Sequence, residues 1–286
     1  MAFSHRSEAQ TDSLYMEIDE AVFISHENTS AFKMNSAEIM EIDVSRIQDF
    51  PKILGNTDPI NFIKLLSGVS TASEHDSGIN IQGCDNAHNE VSLSGVPIYG
   101  AAHLFGLFSV FNPSHYKTMN FSRSSFSSNG LNRLGGAIVM ELPDTLERKI
   151  RGEVSVGIMS AQGTLAMKAG KRVSLHLSAR QSFLNLLYKR WLKIDGNPMR
   201  YGFGDYNLTC VIDAGGKDKV WIDGYFGMDK AYLGAGNYNI DLSVDWGNLM
   251  GALHWEHKGD RYTMKHSAYI SGYGSEAEVY QENSAL

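Results

Sequence analysis

The sequence predicts a small α+β domain over residues 46–146 and a succession of antiparallel β-strands over residues 147–286, behind a polar tail of residues 1–45. Three observations predict it. Near Arg148 the texture changes from short apolar runs punctuated by Gly, Asn and Ser to repeated alternation. Within Arg172–Arg180, Val173, Leu175, Leu177 and Ala179 alternate with Ser174, His176, Ser178 and Arg180. An extended strand puts these two sets on opposite faces, whereas a helix would scatter them. Finally, the connections between such segments alternate between tight glycine turns and long loops.

In the tail, Glu20-Ala21-Val22-Phe23-Ile24 holds the one short apolar patch, and MAFSHRSEAQTDSLYMEIDE lacks the apolar core of a secretory signal. No run approaches the ~20 apolar residues of a transmembrane helix, so a membrane location would have to come from strands. A helix is expected over Pro59–Leu66, where Ile60, Ile63 and Leu66 recur at helical spacing and proline suits the first turn. Gly55, Gly68, Gly83 and Gly95 then cut apolar runs into short strands and turns. Further strands are expected at Glu153–Ile158, Thr164–Lys168, Arg172–Arg180, Tyr206–Ile212, Lys219–Met228, Asn248–Trp255 and Arg261–Ser271. Ala169-Gly170-Lys171, Ala214–Asp218 and Lys258-Gly259-Asp260 read as tight turns, and Gln181–Arg200 and Asp229–Asp245 as long connections. Such alternation suits the two rims of an outer-membrane barrel, with Trp191, Tyr201, Tyr232, Tyr238 and Trp246 as girdle residues. A soluble sandwich or barrel alternates too, and pattern alone leaves both open.

Composition narrows the function classes. With 43% hydrophobic and 20% charged residues, the 286-residue chain has ordinary globular content. Its net charge of −7 offers no basic footprint, which argues against a nucleic-acid partner. Cys84 and Cys210 are too few for a disulfide framework or a four-cysteine zinc site; each reads as a small buried apolar residue, and pairing between them stays open. No Gly-x-Ser-x-Gly elbow and no cysteine–histidine motif is present. Gly202-Phe203-Gly204 and Gly234-Ala235-Gly236 read as loop glycines. His254 and His257, three apart on a strand, face opposite sides; His266 reads as a surface histidine; His5, His26, His75, His88 and His115 show no ligand spacing. Arg123, Arg133 and Arg180 are candidates for a polar lumen, with exposure or ion pairing as the ordinary alternative. No catalytic residue, metal site or cofactor is expected.

The middle of the chain resembles a known family. Asp49–Pro59 and Ile63–Val69 are similar to the opening of the plug domain of TonB-dependent outer-membrane receptors, Gly78–Gly83 to its next strand, and Glu90–Tyr99 to the strand and turn after that. His103-Leu104-Phe105-Gly106-Leu107-Phe108-Ser109-Val110-Phe111-Asn112-Pro113 resembles a run found in a Bacteroidetes-type branch of these receptors. Gly152–Thr164, Ala179–Ser182, Gly224–Lys230, Trp246–Leu249 and Leu253–Trp255 resemble the first barrel strands, so the likeness spans residues 16 to 273. The sequence departs from the family at Gln82, usually arginine, at Ser94, usually aspartate, at Ser124-Ser125, usually two glycines, and at Asn129–Asn132. Glycine lost where φ is positive should cost stability.

The resemblance implies an α+β plug domain followed by an incomplete antiparallel transmembrane β-barrel. Seven strands stand where such transporters have about 22. It implies a TonB-box candidate at Glu20, Ala21, Val22, Phe23 and Ile24, which pairs its backbone with the edge of a TonB-type energising protein. The plug motif comprises Gly83, Gly95, Pro97, His103, Phe105, Gly106, Phe108, Asn112 and Pro113, and the lumen-facing candidates are Ser174, His176, Ser178 and Arg180. The implied partners are outer-membrane lipid, a small nutrient ligand (an iron chelate, vitamin, glycan or peptide) and a surface lipoprotein. As a truncated chain it is expected not to transport. The alternative is a soluble, β-rich, non-enzymatic binding or surface module that reuses the plug.

Overall fold

Alternating apolar residues on short strands build the first core. The structure, a computed structural model, describes residues 32–34, 39–47, 57–71, 78–124, 133–147, 149–235 and 240–281, all within the unit Ala31–Leu286. The first elements are β1 (Phe32–Met34), β2 (Met40–Asp43), α1 (Val44–Ile47) and α2 (Pro59–Ile63). The paired strands β3 (Val69–Ser70) with β4 (Asn80–Ile81), β5 (Glu90–Leu93) with β6 (Val96–Pro97), and β7 (Ala102–His103) with β8 (Phe108–Ser109) follow, then β9 (Thr118–Ser122) and β10 (Ala137–Glu141). One sheet runs β1-β2-β9-β10-β5-β6, antiparallel except at β10–β5. In its register Ile42 faces Met119 and Met119 faces Met140, while Met40 and Ile138 both face Phe121. All are buried, and burying each such side chain contributes about 1.5–3 kcal/mol.

Three local expectations need correction. The small sheet takes in β1 and β2, which lie before residue 46, in the stretch read as tail. The first helix stops at Ile63, not Leu66: Asp58 caps it by accepting from the Ile60 and Asn61 amides at 2.8 and 3.1 Å. Leu65 and Leu66 then bond back only three residues, ahead of Gly68 at φ 83°. Ser124 is not among the described non-glycine residues with positive φ, so glycine is not needed there. Gln82 and Ser94 are (φ 50° and 46°), each followed by a glycine at φ 80° or 83°. Two consecutive positive φ values make a primed hairpin turn, which favours Asn-Gly.

The second sheet holds β11 (Arg151–Val156), β12 (Ser160–Lys168) and β13 (Val173–Ser182), then, past α3 (Leu184–Leu187), β14 (Lys193–Ile194), β15 (Asn197–Gly215), β16 (Asp218–Ala235), β17 (Ile240–Lys258) and β18 (Thr263–Gln281). Seven strands follow one another antiparallel from β11 to β18, with β14 paired to β15 off that path. The sheet is open, with β11 and β18 as its two edges. The three tight turns lie where expected. The long connection at Asp229–Asp245 does not exist as such, because the ladder pairs Lys230 with Asp245 and continues to Ala235 and Ile240. Ala231, Leu233 and Ala235 stand opposite Val244, Leu242 and Ile240, so apolar alternation continues along one face of this pairing. Gly202 and Gly204 lie inside β15, and Gly234 inside β16, so these are strand glycines.

The two faces of this sheet differ in chemistry. The inner face packs on the small domain: Tyr225, Met250 and Ala252 join its core. The outer face exposes Val154, Leu177, Leu208, Ile222, Phe226, Leu249 and Leu253. Cys84 and Cys210 are free and half-buried, a correction to their reading as core residues.

Candidate functional site

The inner face of β13, β15 and β16 meets the small domain through a buried charge cluster. Period-2 geometry points Arg180, Asp205, Tyr225 and Asp229 to the same side, and β7 presents His103 to them. Arg180 donates from Nε and Nη2 to Asp205 Oδ2 at 2.8 and 2.6 Å, and from Nη2 to the Ser109 carbonyl at 2.5 Å. His103 Nε2 lies 2.9 Å from both carboxylate oxygens of Asp205, and its Nδ1 lies 2.8 Å from Asp229 Oδ2. The Tyr225 hydroxyl donates to Asp205 Oδ1 at 2.9 Å, and the Tyr201 hydroxyl donates to Asp229 Oδ1. Phe203 stacks on the His103 ring at 4.5 Å and lies 5.5 Å below the Arg180 guanidinium. The four ionisable groups are 0–4% exposed. Buried charge at this depth is tolerated only when paired and hydrogen-bonded.

Around the cluster the sequence-derived residues take these places. The Pro97 carbonyl accepts from the Ser271 hydroxyl at 2.5 Å. Gly83 and Gly95 sit in the primed turns, and Gly106, at φ 96°, closes the 3-10 turn after His103. Phe105 lies in that turn, its side chain outside the described residues. Phe108 is buried 6.1 Å from Phe203. Asn112 is buried and accepts from the Ser114 amide at 3.2 Å, and Pro113 lines a cavity of about 800 Å³ together with His115, Glu147 and His176. On β13, Ser174, His176, Ser178 and Arg180 are all buried: Ser174 accepts from the Glu147 amide at 2.6 Å and Ser178 from Asn207 at 3.1 Å. Glu20, Ala21, Val22, Phe23 and Ile24 lie outside the described residues, as does Tyr238.

Two girdle assignments are overturned by strand parity. Tyr201 shares its face with Phe203 and Asp205, is fully buried, and its hydroxyl also accepts from the Leu104 amide. Trp246 shares its face with Asn248 and packs 6.2 Å from Tyr201. Leu104 takes φ 47°, a conformation costly for a side-chain-bearing residue, and the Tyr201 bond lies at that point.

Further contacts join the small domain and the wall. The Tyr116 hydroxyl donates to Asn207 Oδ1 at 2.9 Å, and the Asn248 side chain accepts from the Tyr99 amide at 3.2 Å. Asp144 takes Lys117 and Lys219 at 2.9 Å each; burial alone would raise its carboxyl, but the two ammonium groups hold it at about 2. His115 sits 3.2 Å from Thr209 Oγ1, and burial, with the nearby His176, pushes its imidazole down to about 3. His254 faces inward, 3.3 Å from Asp223, while His257 faces outward to Asp218 at 2.8 Å, as three-residue spacing requires. Asp205, Asp229 and Tyr225 carry no motif in the sequence that marks them as site residues, and Tyr201 reads there as a girdle aromatic. The available signal was an aspartate at the inward parity of neighbouring strands, Asp205 on β15 and Asp223 and Asp229 on β16. Among the described residues no group of three or more His, Cys, Asp or Glu could hold a metal ion.

No protein-family model matches the sequence and no curated protein matches it. Solved structures do. The copper transporter OprC is 10% identical with a TM-score of 0.60, over 87% of this chain and 47% of its own. The outer membrane transporter YddB from Escherichia coli is 11% identical with a TM-score of 0.60, over 81% of this chain and 38% of its own. The Serratia marcescens hemophore receptor HasR, solved with its hemophore HasA and heme, is 10% identical with a TM-score of 0.59, over 85% and 38%. These structures are TonB-dependent outer-membrane receptors. The chain has the fold of their N-terminal part, plug and first barrel strands, and spans less than half of their length.

Proposed function

We propose that the chain is part of a TonB-dependent receptor that takes up a scarce nutrient across an outer membrane, with residues 46–146, joined by β1 and β2, as the plug and the strands after residue 147 as barrel wall. The observation that carries this reading is the outward band of the wall. On β16 the outward positions Val220, Ile222, Gly224, Phe226 and Met228 are all apolar and lie between Asp218 and Lys230. Opposite them on β17 stand Trp255, Leu253, Gly251, Leu249 and Gly247, between His257 and Asp245. That is nine residues of strand, against the roughly 9–11 that a tilted strand needs to cross a bilayer. Lipid is thus the partner of the outer face, and the inner face is left to the plug.

In this reading Glu20–Ile24 is the segment that pairs with the energising protein, and the ligand is an iron chelate, vitamin, glycan or peptide. Capture of the full chain on the immobilised periplasmic domain of a TonB-type protein tests it. The wild-type chain should be retained. Val22→Pro removes a pairing donor and should weaken retention on the order of tenfold. No retention of the wild type, or equal retention of both, contradicts the assignment.

A further inference from the structure

Each ring nitrogen of His103 faces a carboxylate, Asp205 on β15 at 2.9 Å and Asp229 on β16 at 2.8 Å. A neutral imidazole has one N–H, and its other nitrogen carries a lone pair. Only the imidazolium can donate to both partners. The remaining groups around it are Arg180 from β13, Tyr201 from β15 and Tyr225 from β16, with Asp58 accepting from the Ser109 amide behind Arg180. With His103 protonated, two cations (Arg180, His103) face Asp205 and Asp229, with Asp58 behind Arg180. With His103 neutral, Arg180 is the one cation left among these carboxylates, and a lone pair points at an oxygen.

We propose that His103 is a proton-operated latch: as imidazolium it clamps the segment His103–Asn112 to the wall, and loss of one ring proton to solvent loosens that segment. This rests on reading the segment as plug, but its test follows protonation and docking and not uptake, so it can fail while that reading stands. Burial alone would lower the imidazole's affinity for its proton, but Asp205 and Asp229 outweigh burial and raise it above the ordinary 6.5. A group raised in the docked state contributes in full below pH 6.5 and loses its contribution as pH climbs through the docked value. The latch therefore tightens toward acid and opens toward alkali.

The test uses the full chain in detergent, labelled with nitrogen-15 at histidine, with His103→Gln identifying the His103 signals. At neutral pH both His103 nitrogens should carry protons. Amide-exchange protection of Leu104, Leu107 and Phe108, corrected for intrinsic rate, should fall by up to about tenfold per pH unit above 6.5 until His103 has titrated. His103→Gln should remove this dependence. Asp229→Asn keeps shape and removes one anion, so it should move the fall to lower pH. A neutral His103 tautomer at neutral pH, protection that ignores its titration, or an unmoved midpoint in Asp229→Asn would overturn the latch.

Discussion

Replacing Asp205 with alanine is expected to destabilise the chain by about 3–5 kcal/mol, the cost of leaving buried charge without its partner. Asp205 takes the Arg180 guanidinium at 2.6 Å, His103 at 2.9 Å and the Tyr225 hydroxyl at 2.9 Å, and is fully buried. The alanine variant strands two cations beside the single carboxylate of Asp229. Denaturant melting in detergent measures the loss. Arg180→Met combined with Asp205→Leu removes charge on both sides and should cost less than Asp205→Ala alone, because paired removal leaves fewer orphaned groups. A loss below about 1 kcal/mol for Asp205→Ala, the scale of an exposed pair, would show that solvent reaches the cluster.

Residues 147–286 expressed without the preceding domain should precipitate in water and disperse only in detergent. The outer face of the sheet is apolar, and the inner face loses the small domain's cover. Strand β18 runs nineteen residues, Thr263–Gln281, without a partner on its far side among the described residues. Such an edge is a template for pairing with other chains, and in lipid its unpaired groups cost several kcal/mol each. Size measurement in detergent-free buffer is the check. A monodisperse, cooperatively melting monomer would mean that the sheet closes on itself, and a soluble module would then be the better account.

The strands of the wall were legible because a period of two survives in any extended segment. Their ends were not. Beyond Met228 a period of two persists, with Ala231, Leu233 and Ala235 opposite Val244, Leu242 and Ile240, but Gly234 reads locally as loop, and only the ladder shows that β16 runs on to Ala235. The helix at Asp58-Pro59 was legible from local chemistry alone, whereas its stop at Ile63 depends on a tightened turn before Gly68. Of the buried cluster, Arg180 and His103 were singled out separately, one by alternation and one by family likeness. Their meeting was not readable, because β7 is placed against β15 and β16 by packing between residues about a hundred positions apart. Tyr201 shows the same limit: it reads as a girdle aromatic until register gives it the parity of Asp205.

The central claim is that one face of this sheet meets lipid and the other meets the plug, and lipid accessibility along β13 tests it most directly. With Cys84 and Cys210 replaced by serine, nitroxides are placed one at a time from Val173 to Arg180 in the full chain, reconstituted in bilayers. Collision with oxygen, which concentrates in lipid, should be high at Val173, Leu175, Leu177 and Ala179. It should be low at Ser174, His176, Ser178 and Arg180, which are 0–6% exposed behind the small domain. Water-soluble relaxant should reach neither set in the middle of the strand. Uniform oxygen accessibility, or water-soluble relaxant reaching Leu175 and Leu177, would contradict the account.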